Sequence, residues 1–306
     1  MKKLKLRKNN DIYSSTIKIP ASDRVFYALL DIFLVFVLII VVIPLWATIT
    51  LSFRPSTFVG SNLEGMFLAP WKWSGAAYKS LLGNRGFIQA FLNSLKILVF
   101  GVGSALILTV PLAYGLSVKT LPGRKFFNTF VLIPYLFSVG MIPTYFVVKN
   151  VGLIDHISAV FIPGAVGTYN LIIMRGFFEG IPDELKESAR IDGAPEWMVL
   201  VRIILPLSKP ILMTIGLYYG VSFWNDFFHA MLYLNKSSLQ PLPILLRNIL
   251  LGASMNENLD VNAFGETPVS AIKAASVFMS AIPMIIAYPF IQKYFTKGTL
   301  LGSVKG

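Results

Sequence analysis

Hydrophobic residues run in long blocks along this chain. Residues 26–51, 88–116, 127–148, 157–177, 210–232 and 271–290 are mainly apolar, and shorter polar stretches separate them. A helix of ~20 residues spans the ~30 Å hydrocarbon layer of a bilayer. Backbone inside lipid must satisfy its own hydrogen bonds, so recurrent runs of this length predict helices. The pattern therefore predicts an all-α integral membrane protein with six transmembrane helices. Proline occurs in several of these runs, at Pro111, Pro134, Pro143, Pro163, Pro283 and Pro289. Each withholds a backbone donor, which fits helices packed around a pathway where neighbours or water satisfy the freed carbonyl.

The first run follows a basic stretch containing Lys2, Lys3, Lys5, Arg7, Lys8, Lys18 and Arg24. It is longer than the apolar core of a signal peptide, starts late and lacks a small-residue cleavage site, so it reads as a retained membrane helix. An even number of spans places both termini on one side. The positive-inside rule makes that side cytoplasmic and the chain a multi-pass protein of the cell membrane. Lys119, Arg124 and Lys125, the loop 175–209, and Lys293, Lys297 and Lys305 then all face inward. Arg54, Lys72, Lys79 and Arg85 run against this trend, in the first of two long outward segments, 54–85 and 235–270. Trp71 and Trp73 in that segment suit the membrane interface.

Composition agrees. Of 306 residues, 55% are hydrophobic and 14% charged, with a mean hydropathy of +0.67; a soluble domain carries roughly 25% charged residues. The net charge of +12 lies between apolar runs rather than on a basic face interleaved with aromatics, which argues against a nucleic-acid partner and for a membrane surface. The absence of cysteine excludes disulfides, thiolate metal sites and a cysteine nucleophile. His156 beside Asp155, and His229 one turn after Asp226, are too sparse for a metal site or a catalytic residue. No G-x-x-x-x-G-K-[ST] phosphate loop is present, so the chain is expected to hold no ATPase site of its own.

The loop between the fourth and fifth runs carries the most information. Pro182 suits a first helical turn, Asp183 and Glu184 complement the positive helix end, and Leu185, Ala189 and Ile191 offer an apolar side. Gly193 then turns the chain, and a second amphipathic stretch at 196–204 leads into Leu205 and Pro206. Two short helices at a sharp angle would project into the cytoplasm.

Glu187-Ser188-Ala189, then Asp192-Gly193-Ala194, then Ile203 to Leu207 with Pro206 and Pro210, closely resembles the EAA loop of binding-protein-dependent ABC importer permeases. Ser188 stands where that family usually has alanine, and Leu200 where an aromatic is frequent. The resemblance covers most of the chain and is closest to the maltose-type sugar permeases. It includes the Trp224-Asn225 pair, and a glycine-ended tail, 294–306, like that of one of their two permease types.

The resemblance implies an ABC type I importer (MetI-like) permease fold. On that expectation 1–86 holds the cytoplasmic N-terminus, first membrane helix and outward segment. Residues 87–292 form the permease core with its EAA loop at 181–210, and 293–306 is a cytoplasmic tail. It also implies that Glu187, Ser188, Ala189, Asp192, Gly193, Ala194, Leu205 and Pro206 couple the chain to an ATPase. The implied partners are two cytoplasmic ABC ATPase subunits that bind the ATP and Mg, a second and different permease subunit, and an extracellular sugar-binding protein. The cargo is expected to be a carbohydrate, an oligosaccharide in particular.

A sugar pathway needs aromatic faces and a few polar groups. Tyr135, Tyr169, Asn170, Tyr219, Trp224, Asn225 and Asp226 are the candidates, and Asp226 stands out because an acid near a span is costly without a cavity or partner. A secondary transporter would instead show midplane acids and internal repeats. Few such acids are present, and the EAA pattern has no role in that mechanism.

Overall fold

Three of the six predicted runs do not fold as single helices. The computed structural model describes residues 21–58, 61–137, 139–252 and 267–302, which are helical or irregular with no strand among them. The basic residues before position 21, the outward stretch 253–266 and the end of the tail from Ser303 lie outside the described residues. Helix α1 (Ala21–Ser52) carries the first run, and α2 (Asn62–Gly65) and α3 (Ala76–Gly83) follow it. The second run is α4 (Arg85–Ser117), the third is shared by α5 (Arg124–Leu136) and α6 (Met141–Asn150), and the fourth by α7 (Ser158–Phe161) and α8 (Thr168–Glu179). The polar loop holds α9 (Asp183–Ile191), α10 (Glu196–Val199) and α11 (Leu205–Leu207). The fifth run divides into α12 (Lys209–Trp224) and α13 (Phe228–Tyr233), after which come α14 (Leu242–Gly252) and α15 (Val269–Gly302). The chain divides into two units, 1–48 and 49–306. The first is helical from Ala21 and almost wholly apolar from Val25.

By length and apolarity α1, α4 and the first part of α15 are each sufficient to cross a membrane, and the number rises to five if α5 with α6, and α10–α11 with α12, each count as one bent span. The interruptions have local causes. In the break between α5 and α6, Gly140 has φ of 81°, a backbone region that favours glycine. Pro163 falls in the gap between α7 and α8. Helix α12 stops at Trp224, where the Asn225 amide donates to the Val221 carbonyl at 2.8 Å, and Asp226 opens the next helix by accepting the His229 N–H at 3.1 Å. Pro111, Pro283 and Pro289 lie inside continuous helices.

Helix α4 is the centre of the second unit. Its Ile97, Ala105, Val110 and Ala113 pack with Leu171, Met174 and Phe178 of α8 and with Ile215, Tyr219 and Phe223 of α12. Lipid tails are as apolar as these side chains, so close contact between surfaces rather than escape from water must hold the helices together. Small residues supply that closeness. A Cβ on Gly101 would come within 2.8 Å of the Phe223 ring and 3.1 Å of Phe161. Gly101→Val is therefore expected to overpack the α4–α12 contact and cost about 1–3 kcal/mol, read as a lower unfolding temperature of the detergent-solubilised subunit.

Two polar residues of α4 are buried for a reason that the hydrophobic pattern hides. Asn93 donates to the carbonyls of Ser238 at 2.8 Å and Gln240 at 3.2 Å, and Ser94 accepts the Leu242 N–H at 2.8 Å. They seat the start of α14, an apolar helix within the segment 235–270. Its Leu242 and Ile249 join Leu81, Phe87, Trp224 and Ile272 in a second cluster that ties α3, α14 and α15 around the first turns of α4. Of the two outward tryptophans, Trp71 is exposed, whereas Trp73 stacks on Phe53 at 5.0 Å and donates to the Leu68 carbonyl at 3.0 Å.

Candidate coupling loop and transport cleft

Backbone geometry locks the turn of the polar loop. Gly193 has φ of 79°, in the left-handed region. Its N–H donates to the Arg190 carbonyl at 3.0 Å, and the Ala194 N–H reaches back to the Ala189 carbonyl at 3.0 Å. These are the two bonds of a Schellman C-cap, in which orphan carbonyls of the last turn find donors and the turning residue is almost always glycine. Ala189 and Ala194 also both pack on the main core, the apolar contact that accompanies such a cap. The Ala-x-x-x-Gly-Ala spacing is thus the chemical signature of a helix that must stop and reverse against a wall.

The inward face of α9 differs from the expected one. Of the three apolar residues, only Ala189 packs inward; Leu185 is exposed and Ile191 is 86% exposed. Lys186 is buried instead, with its amine donating to the Phe178 carbonyl at 3.2 Å and pairing with Asp183 at 3.2 Å. Lys119 and Lys186 both bond the Asp183 carboxylate and hold it below the usual carboxylate range. Leu185, Ile191, Trp197 and Val201 are left as exposed apolar residues on the loop, alongside exposed Glu187, Ser188 and Asp192. Leu205 is partly buried and Pro206 exposed, and Leu200 packs on the core.

Past the turn, α10 passes through a π-helical stretch, Leu200–Ile204, into α11. The chain then bends by 85° into α12 at buried Ser208. Arg190 and Glu196, on either side of Gly193, form an ion pair with Nε to Oε1 at 2.7 Å, and the Tyr114 hydroxyl of α4 donates to Glu196 Oε2 at 2.6 Å. Nearby, Arg124 and Arg175 both pair with Glu179, and Arg175 also donates to Asn128 at 2.7 Å. This network joins the start of α5 to the end of α8. Pairing of this kind depends on spatial neighbours, so Arg190–Glu196–Tyr114 and Lys186 had no sequence signal.

The pathway candidates separate into groups. Tyr135, Tyr169 and Asn170 come together with Thr168, Tyr218, Val221 and Ser222 around an open cleft of ≈ 790 Å³. The Tyr169 and Tyr218 rings lie 6.3 Å apart. Tyr218 and Ser222 carry no sequence signal, because a helix of mixed apolar and aromatic residues does not announce its open side. Tyr219 points the other way: it is buried, shares a 2.8 Å hydrogen bond with Thr109, and accepts the Gly167 N–H at 2.8 Å. It thereby satisfies a donor that the break between α7 and α8 leaves free. Trp224 is buried and donates to the Ser280 carbonyl at 3.0 Å. It also borders a smaller cleft of ≈ 430 Å³ with Asn225, Leu242 and Met284. Asp226 pairs with His229 at 2.8 Å, and His156 contacts the Ile154 carbonyl at 3.1 Å. Asp155 accepts the N–H groups of Asn235 at 2.6 Å and Lys236 at 3.2 Å, pinning the loop before α7 to the loop after α13.

An all-helical membrane core around an open cleft, with a rigid polar hairpin locked against one wall, defines a permease subunit. A family model described as the binding-protein-dependent transport system inner membrane component matches residues 20–300, and the chain belongs to that family. It is 39% identical over 286 residues to the polygalacturonan/rhamnogalacturonan transport system permease protein YtcP of Bacillus subtilis, covering 93% of this chain and 99% of the relative. It is 31% identical over 281 residues to the arabinooligosaccharides transport system permease protein AraQ of Halalkalibacterium halodurans, covering 91% and 96%. Among solved structures, a chain of a bacterial ABC transporter involved in the import of the acidic polysaccharide alginate superposes with a TM-score of 0.82 at 31% identity, covering 90% of this chain and 99% of that one. The fold is that of the MetI-like permeases.

Proposed function

We propose that this chain is the membrane subunit of an ATP-driven importer for a carbohydrate, an oligosaccharide, handed over by an extracellular binding protein. The observation that carries this reading is the locked hairpin at 181–210, which turns Leu185, Ile191 and Trp197 outward beside Glu187. Exposed apolar residues on a rigid, projecting element are the mark of a docking surface. The occupant in this reading is a cytoplasmic ABC ATPase that supplies the ATP and Mg, present as two subunits beside a second, different permease. Relatives named for polygalacturonan/rhamnogalacturonan and arabinooligosaccharides transport support the cargo class.

The cleft of Tyr135, Tyr169, Asn170 and Tyr218 is the sugar path. Three interruptions of helical backbone, after α5, between α7 and α8, and after α12, fall in the predicted spans, and lipid tolerates such breaks where backbone is buried or lines water. Counting each interrupted pair as one crossing gives six spans, with both termini inside.

Reconstitution with co-purifying ATPase subunits and binding protein tests the function. Uptake of a labelled oligosaccharide panel should require ATP, stop with vanadate and continue when the proton gradient is collapsed. Uptake driven by a proton gradient without ATP would sink the proposal. The orientation has its own test, which the natural absence of cysteine makes clean. A membrane-impermeant maleimide should label Ser237→Cys on intact cells, but Glu187→Cys only after permeabilisation. External labelling at Glu187 would reverse the topology.

A further inference from the structure

We infer that Tyr114 is a positioning residue that carries movement of the docking loop into α4 through its hydroxyl bond to Glu196, an inference that rests on the reading of 181–210 as the ATPase-docking loop. Tyr114 is buried in the last turn of α4. Its O–H donates to Glu196 Oε2 at 2.6 Å, a charge-assisted bond and so one of the stronger kinds. The same carboxylate receives Arg190 Nε at 2.7 Å and Nη2 at 3.3 Å. Arg190 lies before the Gly193 turn and Glu196 after it, so one acid clamps both arms of the hairpin and delivers them to α4. The Tyr114 ring also meets Phe178 edge-on at 6.5 Å, and the Phe178 carbonyl accepts Lys186 of α9.

The geometry beyond Tyr114 suits transmission. Helix α4 is continuous from its Asn84 cap to Ser117, and it packs on α8 and α12, which carry Tyr169, Asn170, Tyr218 and Ser222 of the cleft. A push at its inner end is borne by a rigid element whose neighbours are the cleft walls. Ala189, Ala194, Val199 and Ile204 also pack the loop on the core, a contact without direction; the other polar ties compete poorly. Lys119–Asp183 is exposed on both sides, 68% and 47%, where water and salt weaken an ion pair. Glu196 is 56% exposed as well, but of these two acids it alone bonds a buried partner on α4, Tyr114. Lys186 binds back to α8, only eight residues away in the same chain segment. Phenylalanine at 114 would fill the same space, so packing alone does not call for the hydroxyl.

The experiment uses the complete importer in proteoliposomes, with Ser222→Cys as a single cleft reporter. The rate of labelling by a water-soluble maleimide is compared without nucleotide and with ATP plus vanadate. In the Ser222→Cys parent the rate should change on trapping. Adding Tyr114→Phe should leave recovery of the ATPase subunits and ATP hydrolysis in place while shrinking that change roughly tenfold, the scale set by losing one hydrogen bond to a charged group. Glu196→Gln, which keeps an acceptor, should shrink it less, and the double variant should be no worse than Tyr114→Phe, as expected for two members of one link. An undiminished change in Tyr114→Phe overturns the inference, as does no change in the parent. Loss of ATPase recovery in Tyr114→Phe also overturns it, because the hydroxyl then shapes the docking surface and transmits nothing. Failure of the docking reading is separately visible as absence of ATPase subunits from the unaltered chain.

Discussion

A Gly193→Val permease is expected to reach the membrane in normal amounts, to recover the ATPase subunits at least roughly tenfold less well, and to lose binding-protein-stimulated ATP hydrolysis together with uptake. The cause is conformation, not space. The φ of 79° lies where a β-branched side chain is strained, and no atom lies within 4 Å of the position a Cβ would take. Strain of this kind costs about 1–3 kcal/mol, and relieving it would break the two cap bonds from Gly193 and Ala194. The arms that carry Glu187 and Trp197 would then lose their fixed angle. Because the hairpin lies outside the predicted spans, insertion should be spared. Asparagine tolerates the left-handed region, so Gly193→Asn should keep most ATPase recovery, and this contrast separates backbone strain from bulk. Glu187→Lys, which leaves the turn intact, should show a milder loss. Full recovery and full sugar-coupled hydrolysis in Gly193→Val would end the docking role assigned to the loop.

What was legible in the sequence divides along physical lines. The solvent class was plain, since apolar runs of bilayer length have no other use in so weakly charged a chain. The turn at Gly193 was legible because its glycine answers a backbone demand within a few residues, and local demands leave local spacing. The interruptions were half legible. Pro163 marks a gap, yet Pro111, Pro134, Pro283 and Pro289 sit inside continuous helices, where the packed surroundings decide. Hidden altogether were features made by distant partners. The Arg190–Glu196–Tyr114 link joins positions up to 82 residues apart, and Asn93 and Ser94 look misplaced on α4 until α14, some 148 residues later, comes to them. Ile191 is expected on the inner side of α9 and lies outside it, because periodicity marks an apolar position without saying whether the chain's own core covers it. Lys186 went unread because its buried amine is held by a main-chain carbonyl, which every sequence possesses.

Tyr169→Ala and Asn170→Leu are each expected to cut uptake about tenfold, with folded protein and ATPase recovery unchanged. Both side chains border the ≈ 790 Å³ cleft, and the Tyr169 ring is 54% exposed, so removing it leaves little void in the fold. On the proposed sugar path, each variant removes a contact to the cargo: a flat face for sugar C–H groups at Tyr169 and an amide that replaces water bonds at Asn170. Tyr218→Ala should behave as Tyr169→Ala does, since the two rings stand 6.3 Å apart over the same opening. Trp224→Ala should fail differently. Its ring is buried between α4, α14 and α15, with Nε1 bonded to Ser280, and truncating it should cost about 3–5 kcal/mol of stability, seen as less folded protein rather than slower transport per folded molecule. Asn225→Leu and Asp226→Leu remove helix-end bonds to Val221 and His229, so they test whether that corner shapes the path or only ends two helices. The deciding measurement is uptake normalised to reconstituted subunit. If Tyr169→Ala, Asn170→Leu and Tyr218→Ala all transport normally, the rings face lipid and the sugar path lies elsewhere.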